Sequence, residues 1–220
     1  MVTLPRIILK KGREKPVLRG HPWVFSGAVA KVEGEVSPGD IGEVCSKEGQ
    51  FLGLGHLNPR SQIILRLLTQ KKEELGENFF RERISRAVGL REDWFRGKTN
   101  AYRVINGEGD YLPGLIVDRY RETLVLQCLT AGMERLKGIL TNLLVKEFHP
   151  QSIFERSDVA TRSEEGLVES RGLLYGKDVP EFIEIEEYLE NLLSVKVDLV
   201  RKPVLRMELR GKILSEAVEI

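Results

Sequence analysis

Residues 11–29 read KGREKPVLRGHPWVFSGAV, and the architecture of the first part of the chain follows from this stretch. Lys11, Arg13, Lys15 and Arg19 bring cations close together, Gly12 and Gly20 punctuate them, and His21, Pro22 and Trp23 lead into an apolar run. Apolar runs of strand length recur around it, at 6–9, 24–32, 41–45, 51–57 and 63–68. Gly34, Pro38-Gly39, Gly49 and Asn58-Pro59 separate them. Short strands with Gly/Pro punctuation predict a small β-barrel or sandwich over residues 1–69, with a helical turn at 15–19.

Residues 70–77 are polar and read as a linker. Asn78 is placed to cap a helix in which Phe80, Ile84, Ala87 and Val88 recur at helical spacing to about Trp94. Strands are expected at 115–117 and 123–129, then a helix capped by Thr130 with Met133, Leu136, Leu140, Leu143 and Leu144 as its apolar stripe. Further strands are expected at 152–155, 182–185, 189–192 and 195–199. The order strand, strand, helix, strand, strand predicts a central α+β unit over 78–199, one sheet with a helix on one face.

Composition adds bounds. The chain of 220 residues has a formal net charge of +1 and 41% hydrophobic residues, enough for one large or two small domains. No apolar run reaches the roughly 18 residues of a membrane span, and the N-terminus lacks the small-residue cleavage site of a secretory signal. A cytoplasmic protein with no membrane partner is expected. Charge is uneven: the first 31 residues hold seven Lys or Arg against one Glu, whereas 163–190 holds nine acids against two bases. The basic end can meet phosphate. Cys45 and Cys128 lie in apolar runs and read as buried free thiols, and His21, His56 and His149 have no metal-site spacing, so no metal is expected.

Candidate sites follow from residue type. Lys11, Arg13, Lys15 and Arg19 offer phosphate partners, while Gly12 and Gly20 permit close backbone approach. His21 and Trp23 offer flat faces for an unpaired base, although Trp23 by itself reads more simply as a plug of the barrel core. The segment GEGDYLPG, Gly107 to Gly114, lacks the lysine and following helix of a phosphate loop and reads as a turn. Its Glu108 and Asp110, with Asp118, form at best a weak carboxylate cluster. Arg156, Ser157, Asp158 and Arg162 read as a structural or interdomain hydrogen-bond clamp rather than catalytic groups.

The opening stretch, with GLGHLNPRSQI (Gly53 to Ile63), YRVINGEGDYLPGLIVDRY (Tyr102 to Tyr120) and FERSDVATRSEEG (Phe154 to Gly166), resembles a family of large-subunit rRNA cytosine-C5 methyltransferases. The resemblance implies an N-terminal PUA-like β-barrel, a central α+β unit and an S-adenosylmethionine-binding, doubly wound catalytic domain. It reaches about Leu199. There the family carries a Gly-Gln-Lys-Thr-Gly-Phe type motif that this sequence lacks, so the catalytic domain is expected to be absent, with no catalytic residue and no cofactor in this chain. The genetic code permits a choice of codons for Leu199 to Leu205 whose neighbouring frame spells that motif. Residues 200–220 are accordingly expected to be an out-of-frame tail without selected structure.

The expected function is that of an RNA-binding front half of such an enzyme, inactive alone. Its partners would be RNA, above all large-subunit rRNA, and a second copy of the chain. One alternative is a split enzyme whose catalytic half docks in trans; another is a non-enzymatic interaction protein.

Overall fold

A computed structural model describes residues 4–95 and 98–177. The strands expected beyond 180 and the tail 200–220 lie outside the described residues.

Glycine and proline cut the first segment into six strands: β1 (Arg6–Leu9), β2 (Trp23–Phe25), β3 (Val29–Glu33), β4 (Ile41–Cys45), β5 (Phe51–Leu57) and β6 (Ile63–Thr69). They form one sheet in the order β2-β6-β5-β4-β1-β3, antiparallel except for the parallel β1–β4 pair. A single helical turn, α1 (Lys15–Leu18), adds Val17 to a core of Ile7, Leu9, Val24, Val44, Leu57 and Leu65. The single run expected over 24–32 is two strands. A 3₁₀ turn at Ser26–Ala28 separates β2, on β6 at one edge of the sheet, from β3, on β1 at the other.

The second segment begins with α2 (Glu77–Phe95), which buries Phe79, Phe80, Ile84, Ala87 and Val88. Three strands follow, β7 (Ala101–Asn106), β8 (Leu115–Tyr120) and β9 (Thr123–Cys128), then α3 (Ala131–Phe148), β10 (Ser152–Ser157) and β11 (Ser170–Gly176). Thr130 caps α3, its side chain accepting from Met133 N at 3.4 Å. The sheet runs β11-β10-β9-β8-β7, with β9 and β10 parallel and the other neighbours antiparallel.

The expected strand-strand-helix-strand-strand order is therefore corrected. Three strands precede α3, and β9-α3-β10 is a parallel βαβ crossover, the unit of α/β rather than α+β folds. Two edge strands escaped the sequence pattern. β7 carries Arg103 and Asn106 on an exposed edge, and β11 has glycines at 172 and 176, which weakens any strand signal.

The two sheets share a core. β5 is buried on both faces because one side fills the first core while Leu54 joins Leu68, Phe79, Phe80, Leu140 and Leu144 in the second. His56 of β5 lies in this seam, 5% exposed, its ring stacked on Phe80 at 6.2 Å and 10°. Gly132 of α3 lets the helix close on it, since a Cβ there would fall 2.1 Å from the imidazole.

Burial, aided by Arg66 and Arg135, lowers the His56 pKa from 6.5 to about 4. The folded state thus prefers the neutral ring. Its contribution is intact above 6.5, the unfolded value, and is lost as pH falls towards about 4. Unfolding titrations should show a loss of about 2 kcal/mol between roughly pH 7 and 5, before the carboxylates titrate. A His56→Phe variant should lack that component; an unchanged slope in the variant would remove His56 as its source.

Candidate nucleic-acid interface

A groove of about 390 Å³ opens beside α1, lined by Arg13, Pro16, Val17, His21, Trp23 and Phe25 among others. Its aromatic wall comes from strand alternation: His21, Trp23 and Phe25 recur every second residue and meet along one side. Trp23 stands edge-on to His21 at 6.0 Å and to Phe25 at 6.2 Å. Trp23 N donates to His21 Nδ1 at 3.1 Å, which leaves Nε2 as the donor of that ring.

Trp23 is half-buried and lies in the groove wall, not in the barrel core. Its indole N–H donates to Glu108 Oε1 at 2.9 Å, tying the barrel to the second segment. Phe25, 46% exposed, is the groove aromatic that the sequence reading missed, although its two-residue offset from Trp23 was the available signal.

Lys11 and Arg13 before α1, Lys15 on it and Arg19 just after it are all exposed. Gly12 and Gly20 have φ of +82° and +83°, so each supports a left-handed turn, and nothing lies within 4 Å of where a Cβ would be. Arg13 lines this concave, largely apolar surface, and Lys11, Lys15 and Arg19 are exposed within a few residues of it in sequence. Such a surface can hold a base by stacking while the cations meet phosphate.

The Arg156–Arg162 segment lies elsewhere. Arg156 pairs with Asp158 at 3.0 Å on the surface, while Ser157 is fully buried and its Oγ accepts from Cys128 N at 2.9 Å. Arg162 is 1% exposed. Its Nε donates to Val168 O at 2.9 Å, and Nη1 donates to Cys128 O and to Glu134 Oε2, the latter at 2.9 Å. Lys137 joins Glu134 to Glu155 at 2.6 and 3.0 Å, so two cations and two anions close the network.

Glu165, three residues on in the acid-rich stretch 163–190, is 3% exposed. Asn58 Nδ2 donates to its Oε2 at 2.8 Å, and Arg66 Nη1 lies 2.7 Å from its Oε1, both reaching from the barrel. The loop is thus a clamp across the seam.

The other chemical candidates are occupied structurally. Asp110 Oδ2 accepts from Arg91 at 2.8 Å, Asp118 pairs with Arg103 at 2.8 Å, and Glu108 holds Trp23. Among the described residues no group of three or more potential ligands could hold a metal ion. Cys45 and Cys128 are buried free thiols, and burial, with Glu134 and Glu155 adding to it, pushes the Cys128 thiol up to about 12. Such a thiol is not a nucleophile near neutral pH. Among the described residues no helix is long and apolar enough to cross a membrane.

Comparison with known proteins fits the barrel first. Residues 7–70 match the PUA-like domain family, so the chain carries a PUA-like domain. Beyond the barrel, the fold is shared with a Streptococcus mutans chain described as a SAM-dependent methyltransferase, at TM-score 0.66 and 19% identity, over 80% of this chain and 44% of that one. SMU.776, described as a methyltransferase complexed with SAH, matches at TM-score 0.67 and 18% identity over the same shares. By sequence the chain is a relative of the ribosomal RNA large subunit methyltransferase I of Vibrio parahaemolyticus, 43% identical over 195 residues. That match takes in 88% of this chain and 48% of the relative, so the chain spans about half the length of the curated protein.

These likenesses overturn the expected fold class. The PUA-like barrel stands, but the α+β class of the second unit and the expected absence of the doubly wound catalytic domain do not. Methyltransferase structures match 80% of the chain, far more than the barrel strands at 6–69 supply. The expectation rested on the Gly-Gln-Lys-Thr-Gly-Phe type motif that this sequence lacks.

The turn between β9 and α3, where a strand end meets a helix N-terminus, is where a methyl donor would be favoured. That turn is filled. Ala131 N donates to Glu165 Oε2 at 3.4 Å, Thr130 caps the helix, and Gly132 is pressed against His56. The described residues do not fit the donor at this position.

Proposed function

We propose that this chain recognises ribosomal RNA for a methyltransferase, binding an unpaired segment in the groove at Arg13, His21, Trp23 and Phe25. The observation that carries the reading is the coincidence of that groove of about 390 Å³ with the exposed cations Lys11, Lys15 and Arg19, all within a PUA-like domain. The relationship to ribosomal RNA large subunit methyltransferase I supports large-subunit rRNA as the substrate, and S-adenosylmethionine is the methyl donor that the sequence resemblance implies. Cytosine C5 is the target atom implied by the sequence resemblance. That chemistry needs a thiolate nucleophile, a role that buried Cys45 and Cys128 do not fill. On this reading the protein acts in the cytoplasm.

Fluorescence anisotropy with single-stranded fragments of large-subunit rRNA tests the binding. With about three phosphate contacts, log affinity should fall against log salt with a slope near −2, at roughly −0.7 per contact. Lys11→Gln with Arg13→Gln should flatten it by about 1.4. Affinity independent of salt would overturn the proposal.

A further inference from the structure

The 3₁₀ turn at Gly107–Asp110 is more firmly built than a surface connection requires. Arg91 grips Asp110 through both carboxylate oxygens, Asp110 Oδ2 accepts from Asn106 N at 2.6 Å, and Leu112 N donates to Gly107 O at 3.0 Å. The product of this bracing is Tyr111, with φ of +58° and 55% exposed. A left-handed conformation at a large aromatic residue costs about 1 kcal/mol or more, and burial of the ring does not compensate for it. Two arginines of α2 attend the ring: the Arg83 guanidinium lies 5.1 Å from its centroid and that of Arg86 5.9 Å. Arg83 is itself anchored, donating to Leu68 O at 3.1 Å and lying 4.9 Å from the Phe79 ring.

A half-exposed aromatic ring with arginine guanidinium groups over it combines the stacking platform and the cations with which proteins hold single-stranded nucleic acid. One residue links it to the groove aromatic Trp23. Glu108, whose side chain accepts from the Trp23 indole, accepts from Tyr111 N through its backbone carbonyl at 3.1 Å. Glu108 thus touches both aromatic residues, the Trp23 indole of β2 through its side chain and Tyr111 through its backbone.

We propose that Tyr111, with Arg83 and Arg86, is a second stacking site for an unpaired RNA base, carrying the strand from the barrel onto the second segment. This rests on the RNA-binding reading above. The barrel would take one part of the strand, Tyr111 would stack a base further along it, and Arg86 would meet the intervening phosphate.

The test uses the whole chain and single-stranded rRNA fragments carrying 2-aminopurine at successive positions. Wild-type protein should quench one position outside those affected by Trp23→Ala. Tyr111→Asn suits the left-handed backbone, so the fold should be kept while the quench is lost and affinity falls about tenfold. Tyr111→Phe should retain both, and Arg86→Gln should reduce the salt slope by about 0.7. A wild-type chain that binds with the expected salt slope, joined by a Tyr111→Asn variant with equal affinity and quenching, would overturn this inference alone. A wild-type chain without salt-dependent binding would overturn the RNA-binding reading and this inference with it. Matching thermal unfolding of the Tyr111 variants excludes loss of fold as the cause of either result.

Discussion

Arg162→Ala should destabilise the protein by about 3–5 kcal/mol, the usual cost of removing one partner from a buried ion pair. Arg162 is 1% exposed, and its guanidinium serves Cys128 O, Val168 O and Glu134 together. Without it two carbonyls lose their donor, and Glu134 and Glu155 share the single cation of Lys137. A domain with about 5–15 kcal/mol of total stability would lose a large fraction of it. Arg162→Lys should recover only part, because an ammonium cannot reproduce the planar fork. Urea unfolding measures both variants. A shift below about 1 kcal/mol for Arg162→Ala would show the network to be dispensable.

Gly132→Ala should cost about 2–3 kcal/mol by overpacking. The added methyl would meet the His56 ring at 2.1 Å, and that ring is fixed between the helix and Phe80. Neither the backbone of α3 nor β5 can yield without opening the shared core. The effect must therefore depend on His56. In a His56→Ala background the same change should be neutral or slightly stabilising, since alanine exceeds glycine in helix propensity by about 1 kcal/mol. Equal costs in the two backgrounds would refute the contact as the cause.

The barrel was largely legible because its strands are local events: apolar runs of four to seven residues end at glycine, proline or asparagine turns. The helices were legible for the same reason, through the spacing of Phe80, Ile84 and Val88 and of Met133, Leu140 and Leu144. β7 and β11 were not, since edge strands need only one paired side and carry charges and glycines that a central strand would reject. The parallel relation of β9 and β10 was also hidden. Strand direction depends on where the chain returns after α3, which no local periodicity encodes.

The site divides along the same line. Proximity in sequence groups Lys11, Arg13, Lys15, Arg19, His21 and Trp23, because α1 and β2 are neighbours along the chain, and Arg13, His21, Trp23 and Phe25 line one groove. Only the tertiary structure decided that Trp23 forms a groove wall, since that depends on Glu108, 85 residues away. Likewise Glu165, in an acidic run, reads as surface until Asn58 and Arg66 arrive from the barrel to neutralise and bury it. His56 reads as one more strand residue until α3 and Phe80 close over it. Sequence fixes which groups are available and the local geometry that turns and periodicity impose. Burial, charge pairing and the pKa values they shift depend on long-range contacts, and those exist only once the two sheets share a core.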